Sequence, residues 1–308
     1  VATAPHKADR IADGSRLVLG TAQFGMPYGV TNRHGKVSEA AAAQILSTAC
    51  DAGISMIDTA AGYGTSEAVL GKCLAGLPEI GVITKTLAFP GDKITAADAG
   101  ALRTNLECSL KRLDRRRVEA LLIHHGSDVL KPGGDRLLEM LASLKASGLT
   151  ARIGVSVYDA ADLDGVLEKL HPDVVQLPLN LFDQRLVRSG HIERMKAAGI
   201  EIHARSIFLQ GILLADTAGL PAYFSSFSRQ FASYAKLLER AGLRPLQACL
   251  GFVLKQSGAD RAVVGVTGTS DLQEILSALA TMPASLPDMS AFATDDLALI
   301  DPRRWRTG

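Results

Sequence analysis

Four side chains able to carry charge or exchange a proton stand at or just past the ends of short apolar runs. Met-Ile-Asp ends on Asp58, Val-Ile-Thr-Lys on Lys85 and Leu-Leu-Ile-His on His124, while Tyr63 follows Asp58 across a short turn through Ala60, Ala61 and Gly62. A carboxylate and an ammonium on neighbouring strands, expected at equivalent heights, can form a partly buried ion pair. An ammonium beside the Tyr63 phenol favours the phenolate, lowering a pKa that starts near about 10. A tyrosine tuned in this way can serve as a general acid toward a carbonyl oxygen. Singly, each residue also has a plain structural role: a stabilising salt bridge, a packed tyrosine, a core histidine. His124 is followed by His125. Consecutive strand residues point to opposite sides, so the pair cannot chelate one metal from a regular strand. We assign the inward position to His124. No carboxylate or cysteine set accompanies it at zinc-ligand spacing, and no metal is expected.

Bringing these groups together requires several strands that end at one rim. Short apolar runs alternate with longer amphipathic stretches, which predicts strands over 16–20, 56–58, 82–85, 120–124, 152–156, 174–177, 201–205 and 262–266. Apolar residues at three- and four-residue spacing predict helices over 39–52, 101–113, 136–147 and 163–170. Ser38 before Glu39 and Ser66 before Glu67 read as N-terminal caps. Gly53, Gly148 and Gly199 read as left-handed helix ends. Eight apolar strands in strict alternation with helices, none of them resembling an edge, predict an α/β fold of the TIM (β/α)8-barrel type. Active sites of this fold sit at the carboxyl ends of the strands. Gly20, Thr21, Asp58, Lys85, His124, Ser156, Gln176, Arg205, Ser206 and Gly265 are expected at that rim. Polar groups at the mouth of an apolar barrel are costly unless they meet a ligand or one another.

The 308 residues read as one barrel domain, 1–308, with an N-terminal extension over 1–15 and a C-terminal helix and tail over 281–308. A hydrophobic share of 47% supports a large core and argues against disorder. The formal net charge of +1, without a long basic run, gives no support to a nucleic-acid or membrane-surface partner. Cys50, Cys73, Cys108 and Cys249 lie far apart without C-x-x-C spacing and read as reduced, buried thiols. The first fifteen residues are polar and lack the apolar stretch of a signal peptide, and no run of about 18 apolar residues occurs; a cytoplasmic protein is expected. No G-x-G-x-x-G follows a strand, and no phosphate-loop or nucleophile-elbow motif occurs. Only Asp58 is acidic among the strand ends, whereas a glycosidase needs two carboxylates.

In order along the chain, Gly20 to Gly25 (GTAQFG), Ile57 to Gly64 (IDTAAGYG) with Ser66-Glu67, VITK ending at Lys85, LLIH ending at His124, RIGVS ending at Ser156, VVQLPLN from Val174 and VVGVTGTSDLQEIL from Val263 resemble the aldo-keto reductase superfamily, in its bacterial branch. The resemblance runs from about residue 16 to residue 279. It implies an NAD(P)-dependent oxidoreductase that reduces an aldehyde or ketone, sugar-like compounds included, with small-molecule carbonyl substrates as partners. Tyr63 would be the proton donor, Lys85 and Asp58 would tune it, and His124 would orient the carbonyl. Ser156 and Gln176 would hold the nicotinamide carboxamide, Ser206, Gln210 and Gly211 would lie along the pyrophosphate, and Thr267 and Glu274 near the adenosine. Gly20, Thr21, Asp58, Arg205, Phe208 and Gly265 complete the implied cofactor set. Phe24, Tyr28 and His125 are the expected substrate contacts, with Met26, Phe182, Phe208 and Trp305 as further loop candidates; Trp305 equally suits packing of the tail. A cofactor-binding regulatory or sensor protein without turnover is the alternative that the same resemblance allows.

Three positions depart from the family pattern. Val157 stands where an asparagine is common. Arg205 replaces the usual stacking tyrosine, and its charge would lie beside a ring that is cationic when oxidised. Residues 265–273 hold neither lysine nor arginine, and they include Asp271. An aspartate repels a 2′-phosphate and can accept from a free ribose hydroxyl. The family favours NADP(H), so NADP is the expected cofactor, with NAD as the other candidate.

Overall fold

The structure, a computed structural model, describes residues 14–306. Eight parallel strands close into a barrel in chain order: β1 (Leu17–Gly20), β2 (Met56–Asp58), β3 (Gly81–Lys85), β4 (Val118–Ile123), β5 (Thr150–Ser156), β6 (Val174–Pro178), β7 (Glu201–Arg205) and β8 (Arg261–Gly265), with β8 pairing back to β1. Every apolar run read as a strand is one, with ends displaced by two residues at most. The strands carry apolar side chains on both faces because both faces are covered. Leu17, Leu19, Ile57, Val82, Leu121 and Ile123 face the helices in the main core. Val18, Met56, Ile83, Ala120, Leu122 and Val174 form a second, smaller cluster inside the barrel. Burying each leucine or isoleucine side chain stabilises the fold by about 1.5–3 kcal/mol.

Helix boundaries follow local chemistry. The helix Ala96–Leu113 begins five residues before the expected 101–113, because Thr95 and Asp98 form a reciprocal capping box. The helix Ala160–Lys169 begins early for a similar reason: the Asp159 carboxylate accepts from the Asp162 amide at 3.0 Å. Ser38 caps as expected, accepting from Ala41 N at 3.2 Å. Ser66 does not cap. It lies inside the helix Ser66–Cys73, behind Thr65 at the cap position, and is fully buried in a hydrogen-bond cluster described below. Gly53, Gly148 and Gly199 all have positive φ. The helices Ser228–Ala241 and Pro245–Gly251 were outside the expected set.

The expected N-terminal extension lies outside the described residues up to position 13; Gly14–Arg16 is a single 3-10 turn. The expected C-terminal helix after residue 281 is reduced to the four residues Leu297–Ile300 between 3-10 turns, in a segment interrupted by Pro283, Pro287 and Pro302. Of the cysteines, only Cys249 is buried; Cys50, Cys73 and Cys108 are half-buried, and all four are free thiols. No helix among the described residues is long and apolar enough to cross a membrane.

Candidate active site

Alternation of side chains along a strand decides what reaches the barrel mouth. On β2, Met56 faces inward and Asp58 follows two residues later; on β3, Ile83 is followed by Lys85; on β6, Val174 is followed by Gln176. On β4, Ala120 and Leu122 face inward, and the next position of that parity is His124, just past the strand end. Apolar layers thus give way to polar groups at one rim. Asp58, Gln176 and His124 border a cleft of about 520 Å³, within the ~300–1,000 Å³ range of small-molecule sites.

Asp58 and Lys85 are not level. Asp58 is in register with Ile83, so Lys85 sits two residues further along its strand, and its long side chain reaches back. The Nζ donates to Asp58 Oδ2 at 2.6 Å, to Oδ1 at 2.7 Å and to the Thr59 carbonyl at 2.9 Å. An ammonium has three donors, and these contacts use all of them. Gln176 Nε2 adds a third bond to the carboxylate, at 2.8 Å from Oδ1. The Lys85 side chain is 1% exposed. Burial is the main influence on its pKa and pulls it down, against the opposing pull of Asp58.

This arrangement corrects one expectation. Lys85 was expected to lower the Tyr63 pKa, yet Nζ lies 5.0 Å from the centre of the Tyr63 ring, with its protons committed elsewhere. Burial raises the phenol well above its ordinary value, the Asp58 charge raises it further, and Arg205 opposes without prevailing. The Tyr63 phenol is therefore held in its protonated form. His124 packs edge-on against it with ring centres 5.8 Å apart. Burial, reinforced by Lys85, His125 and Arg205, brings the imidazole pKa down to about 3. It is neutral at ordinary pH.

The turn that carries Tyr63 is anchored from below. Ser66 Oγ bonds Thr21 O at 2.8 Å and Thr21 Oγ1 at 2.9 Å, Thr59 Oγ1 donates to Ser66 Oγ at 3.0 Å, and Thr21 Oγ1 donates to Asp58 O at 3.0 Å. The neighbouring Glu67 is buried and accepts from Thr84 Oγ1 at 2.6 Å and from Arg112 Nε at 2.8 Å. The Ser-Glu pair after the tyrosine turn thus ties β1, β2, β3 and a helix together.

Gly20, Thr21, Asp58, Tyr63, His124, Ser156 and Gln176 border the cleft together. So do Arg205, Ser206, Phe208, Gln210, Gly211, Gly265, Thr267 and Glu274, and, of the expected substrate contacts, Tyr28. Lys85 stands behind Asp58. Two substrate expectations are corrected. Phe24 is wholly buried in the main core, because the short helix Ala22–Gly25 turns it away from the mouth. His125 is exposed and does not border the cleft; its ring stacks on His124 at 5.0 Å, since the chain leaves strand geometry at Ile123 and alternation stops there. Phe182 is buried, and Trp305 packs edge-on against Phe224 while its indole N–H donates to Leu299 O at 3.1 Å. Trp305 secures the tail.

Sequence reasoning missed Gln23, Thr31, Asn32, His34 and Tyr158 as cleft residues. Tyr158 follows Ser156 by two residues, so continued alternation was a usable signal. Thr31, Asn32 and His34 had none, because they arrive on an irregular loop that folds across to the segment after β7, where Thr31 Oγ1 donates to the Gln210 carbonyl at 3.2 Å. The segment after β7 has positive φ at Ser206, Leu209, Gln210 and Gly211. The amides of Ser206, Ile207 and Phe208 donate to no other group among the described residues. Adjacent unpaired amides of this kind form an anion-binding concavity.

Residues 16–293 match the family model described as Aldo/keto reductase family. An aldo-keto reductase from Mycolicibacterium smegmatis is 36% identical over 166 residues, 50% of this chain and 54% of that protein. The Escherichia coli NADH-specific methylglyoxal reductase is 25% identical, covering 74% of this chain and 79% of that one. A solved aldo-keto reductase structure from Pseudomonas aeruginosa superposes with a TM-score of 0.63 at 26% identity, covering 87% of this chain and 90% of the other. The chain spans 54% to 64% of the length of the first curated relatives it matches. With one family model matched from β1 to beyond β8, the chain belongs to the aldo/keto reductase family.

Proposed function

We propose that this protein reduces an aldehyde or ketone to the alcohol with a nicotinamide dinucleotide, Tyr63 being the proton donor. Convergence of a protonated Tyr63, a neutral His124 and a mutually neutralised Asp58–Lys85 pair at one end of a single cleft is the observation that carries this function. The cleft also fits the cofactor: the free amides of Ser206, Ile207 and Phe208 suit a pyrophosphate, and Ser156 together with the side-chain Oε1 of Gln176 suits a carboxamide. When bound, the reduced nicotinamide supplies a hydride to the carbonyl carbon. The Tyr63 hydroxyl protonates the carbonyl oxygen, and His124, as a neutral ring, orients that oxygen. Asp58 holds Lys85 in place, keeping a compensated charge beneath the phenol.

Between the two cofactors, NAD(H) suits the adenosine end better than the NADP(H) that the family favours. Asp271 and Glu274 border the cleft there, and Arg205, at the catalytic end, is the one Lys or Arg side chain among its described lining residues. Asp271 Oδ2 accepts from the amide and hydroxyl of Thr267, both at 2.8 Å, which fixes a carboxylate where a 2′-phosphate would need a cation. The relative named as an NADH-specific methylglyoxal reductase supports both this preference and a small, oxygenated carbonyl substrate.

The test follows reduced-cofactor absorbance with NADH and NADPH over a panel of aldehydes, ketones and aldoses. The expected result is turnover with a higher kcat/KM for NADH, lowered by about 10²–10⁴ in Tyr63→Phe with cofactor affinity retained. Cofactor binding without turnover of any carbonyl compound would overturn the enzymatic assignment and leave a cofactor-binding regulatory protein.

A further inference from the structure

Arg205 closes β7 at the cleft wall. Ile202 and Ala204 pack into the main core, so His203 and Arg205, at the alternate positions, face the barrel axis. The Arg205 side chain is half-buried; one Nη donates to the Val157 carbonyl at 3.2 Å, and the guanidinium carbon lies 4.2 Å from the centre of the Tyr158 ring. Tyr158 is itself held, since Arg303 contacts the same ring at 3.7 Å and Arg185 donates to the Tyr158 carbonyl at 3.2 Å. Those two arginines are compensated, Arg303 by two bonds to Asp301, at 2.8 and 2.7 Å, and Arg185 by two to Asp183, both at 2.8 Å. Among the described residues no carboxylate pairs with Arg205.

Of the carboxylates that border the cleft, Asp58 is neutralised by Lys85, and Asp271 and Glu274 belong to the adenosine end. The Arg205 charge is felt at Tyr63 and at His124. The catalytic end therefore has one fixed, uncompensated cation. Its place relative to the cofactor contacts follows from strand register. Ser156, Gln176 and His203 are level across β5, β6 and β7, and Arg205 stands two residues beyond His203 with Ser206 next in the chain. A dinucleotide that reaches both the carboxamide contacts and the amides after β7 carries its nicotinamide past Arg205. The two redox forms differ at that ring by one unit of charge, since the oxidised ring is cationic and the reduced ring neutral. A neighbouring cation repels the first and spares the second. For like charges about 6 Å apart in a half-buried cleft, this is a factor of about 10 to 100 in affinity.

Resting on the nicotinamide-dependent function above, we propose that Arg205 sets which redox form of the cofactor the cleft holds, favouring the reduced form and expelling the oxidised one. The protein then loads reduced cofactor against an excess of the oxidised form and discharges the oxidised form after each reduction, as suits a catalyst working in the reductive direction. Tyr158, contacted by both Arg205 and Arg303, fixes the guanidinium so that its charge stays at the ring. The pyrophosphate, ribose and adenine are the same in both forms, so their attraction to the cleft cancels in the comparison.

The experiment is calorimetric titration with the oxidised and reduced forms of NAD and of NADP, with no carbonyl compound present. The readout is the ratio of Kd, oxidised over reduced, for each pair that binds; general damage to the fold cancels in it. The wild-type ratio is expected at about 10 to 100. In Arg205→Gln it should fall about tenfold or more, chiefly because the oxidised form binds better. Arg205→Lys, which keeps the charge and loses the planar fork, should keep most of the wild-type ratio. Inhibition of turnover by the oxidised cofactor should strengthen in Arg205→Gln in parallel. A wild-type ratio near one, or a ratio unchanged in Arg205→Gln, overturns the proposal; equal weakening of both forms in that variant would give Arg205 to the pyrophosphate instead. The cofactor assignment fails in a different way. A wild-type protein that binds neither form of either nucleotide removes that assignment and this proposal together, whereas binding with a ratio near one removes the proposal alone.

Discussion

Lys85 commits its three protons to Asp58 and the Thr59 carbonyl, so the Tyr63 phenol faces a compensated pair rather than a bare ammonium. Burial then dominates and raises the phenol pKa. A group raised in this way is protonated at every pH below its shifted value, so reduction needs no titration event at neutral pH. His124, lowered to about 3, stays neutral above that value. The kcat/KM for reduction should therefore be level from about pH 6 to pH 9, while alcohol oxidation, which needs a proton acceptor, should rise with pH throughout. A limb near the ordinary histidine value of about 6.5 in the pH–rate profile would refute the neutral imidazole. The ion pair yields a stability prediction as well. Asp58→Asn leaves a buried ammonium without its counter-charge and should cost about 3–5 kcal/mol in urea denaturation, whereas the double variant Asp58→Asn with Lys85→Met should recover most of the loss.

Two elements must touch at backbone distance for the tyrosine turn to sit where it does. A methyl group at Gly25 would overlap the Tyr63 carbonyl oxygen and lie 2.6 Å from the Ser66 amide nitrogen, while Gly64, at φ +54, faces the Gly25 carbonyl across the same contact. Glycine in the first-strand motif and glycine in the tyrosine motif are thus two halves of one contact. Gly25→Ala should displace the Tyr63 turn, lowering stability by about 1–3 kcal/mol and kcat on the order of 10²-fold, as expected for a misplaced reacting group. Gly62→Ala is the control, since a Cβ there meets nothing within 4 Å. Equal kinetics and melting temperatures for the two variants would remove the contact from the account.

At the scale of the whole barrel, the amino-terminal mouth is plugged by charge where the carboxyl-terminal mouth is open. Glu201 accepts from His203 Nε2 at 2.9 Å and Arg261 Nε at 2.5 Å, and it also pairs with Arg152, which reaches Glu119 at 3.0 Å. Burial pushes the Glu201 pKa up, but the bonds from His203 and Arg261 and the Arg152 charge outweigh it, and the net shift is strongly down. A depressed carboxylate contributes stability above its unfolded pKa of about 4.3 and loses it as pH falls through the folded value. Glu201→Gln should therefore be less stable than wild type by about 1–3 kcal/mol at pH 7, with the difference shrinking steadily below about pH 4. Chemical denaturation across that range checks it; a gap that does not depend on pH would assign the loss to packing.

Local periodicity was enough to place the eight strands, the inward position of His124, and the gathering of Asp58, Lys85, Gln176 and His124 at one rim. Each follows from a repeat of two residues along a strand and from the need to bury apolar faces on both sides. Tertiary structure alone decided that Lys85 points all its protons away from Tyr63, that Ser66 anchors β1 rather than capping a helix, that Phe24 turns into the core, and that Thr31 crosses to Gln210. Those outcomes depend on which atoms from distant parts of the chain come within about 3 Å of one another. No spacing within the sequence encodes that distance.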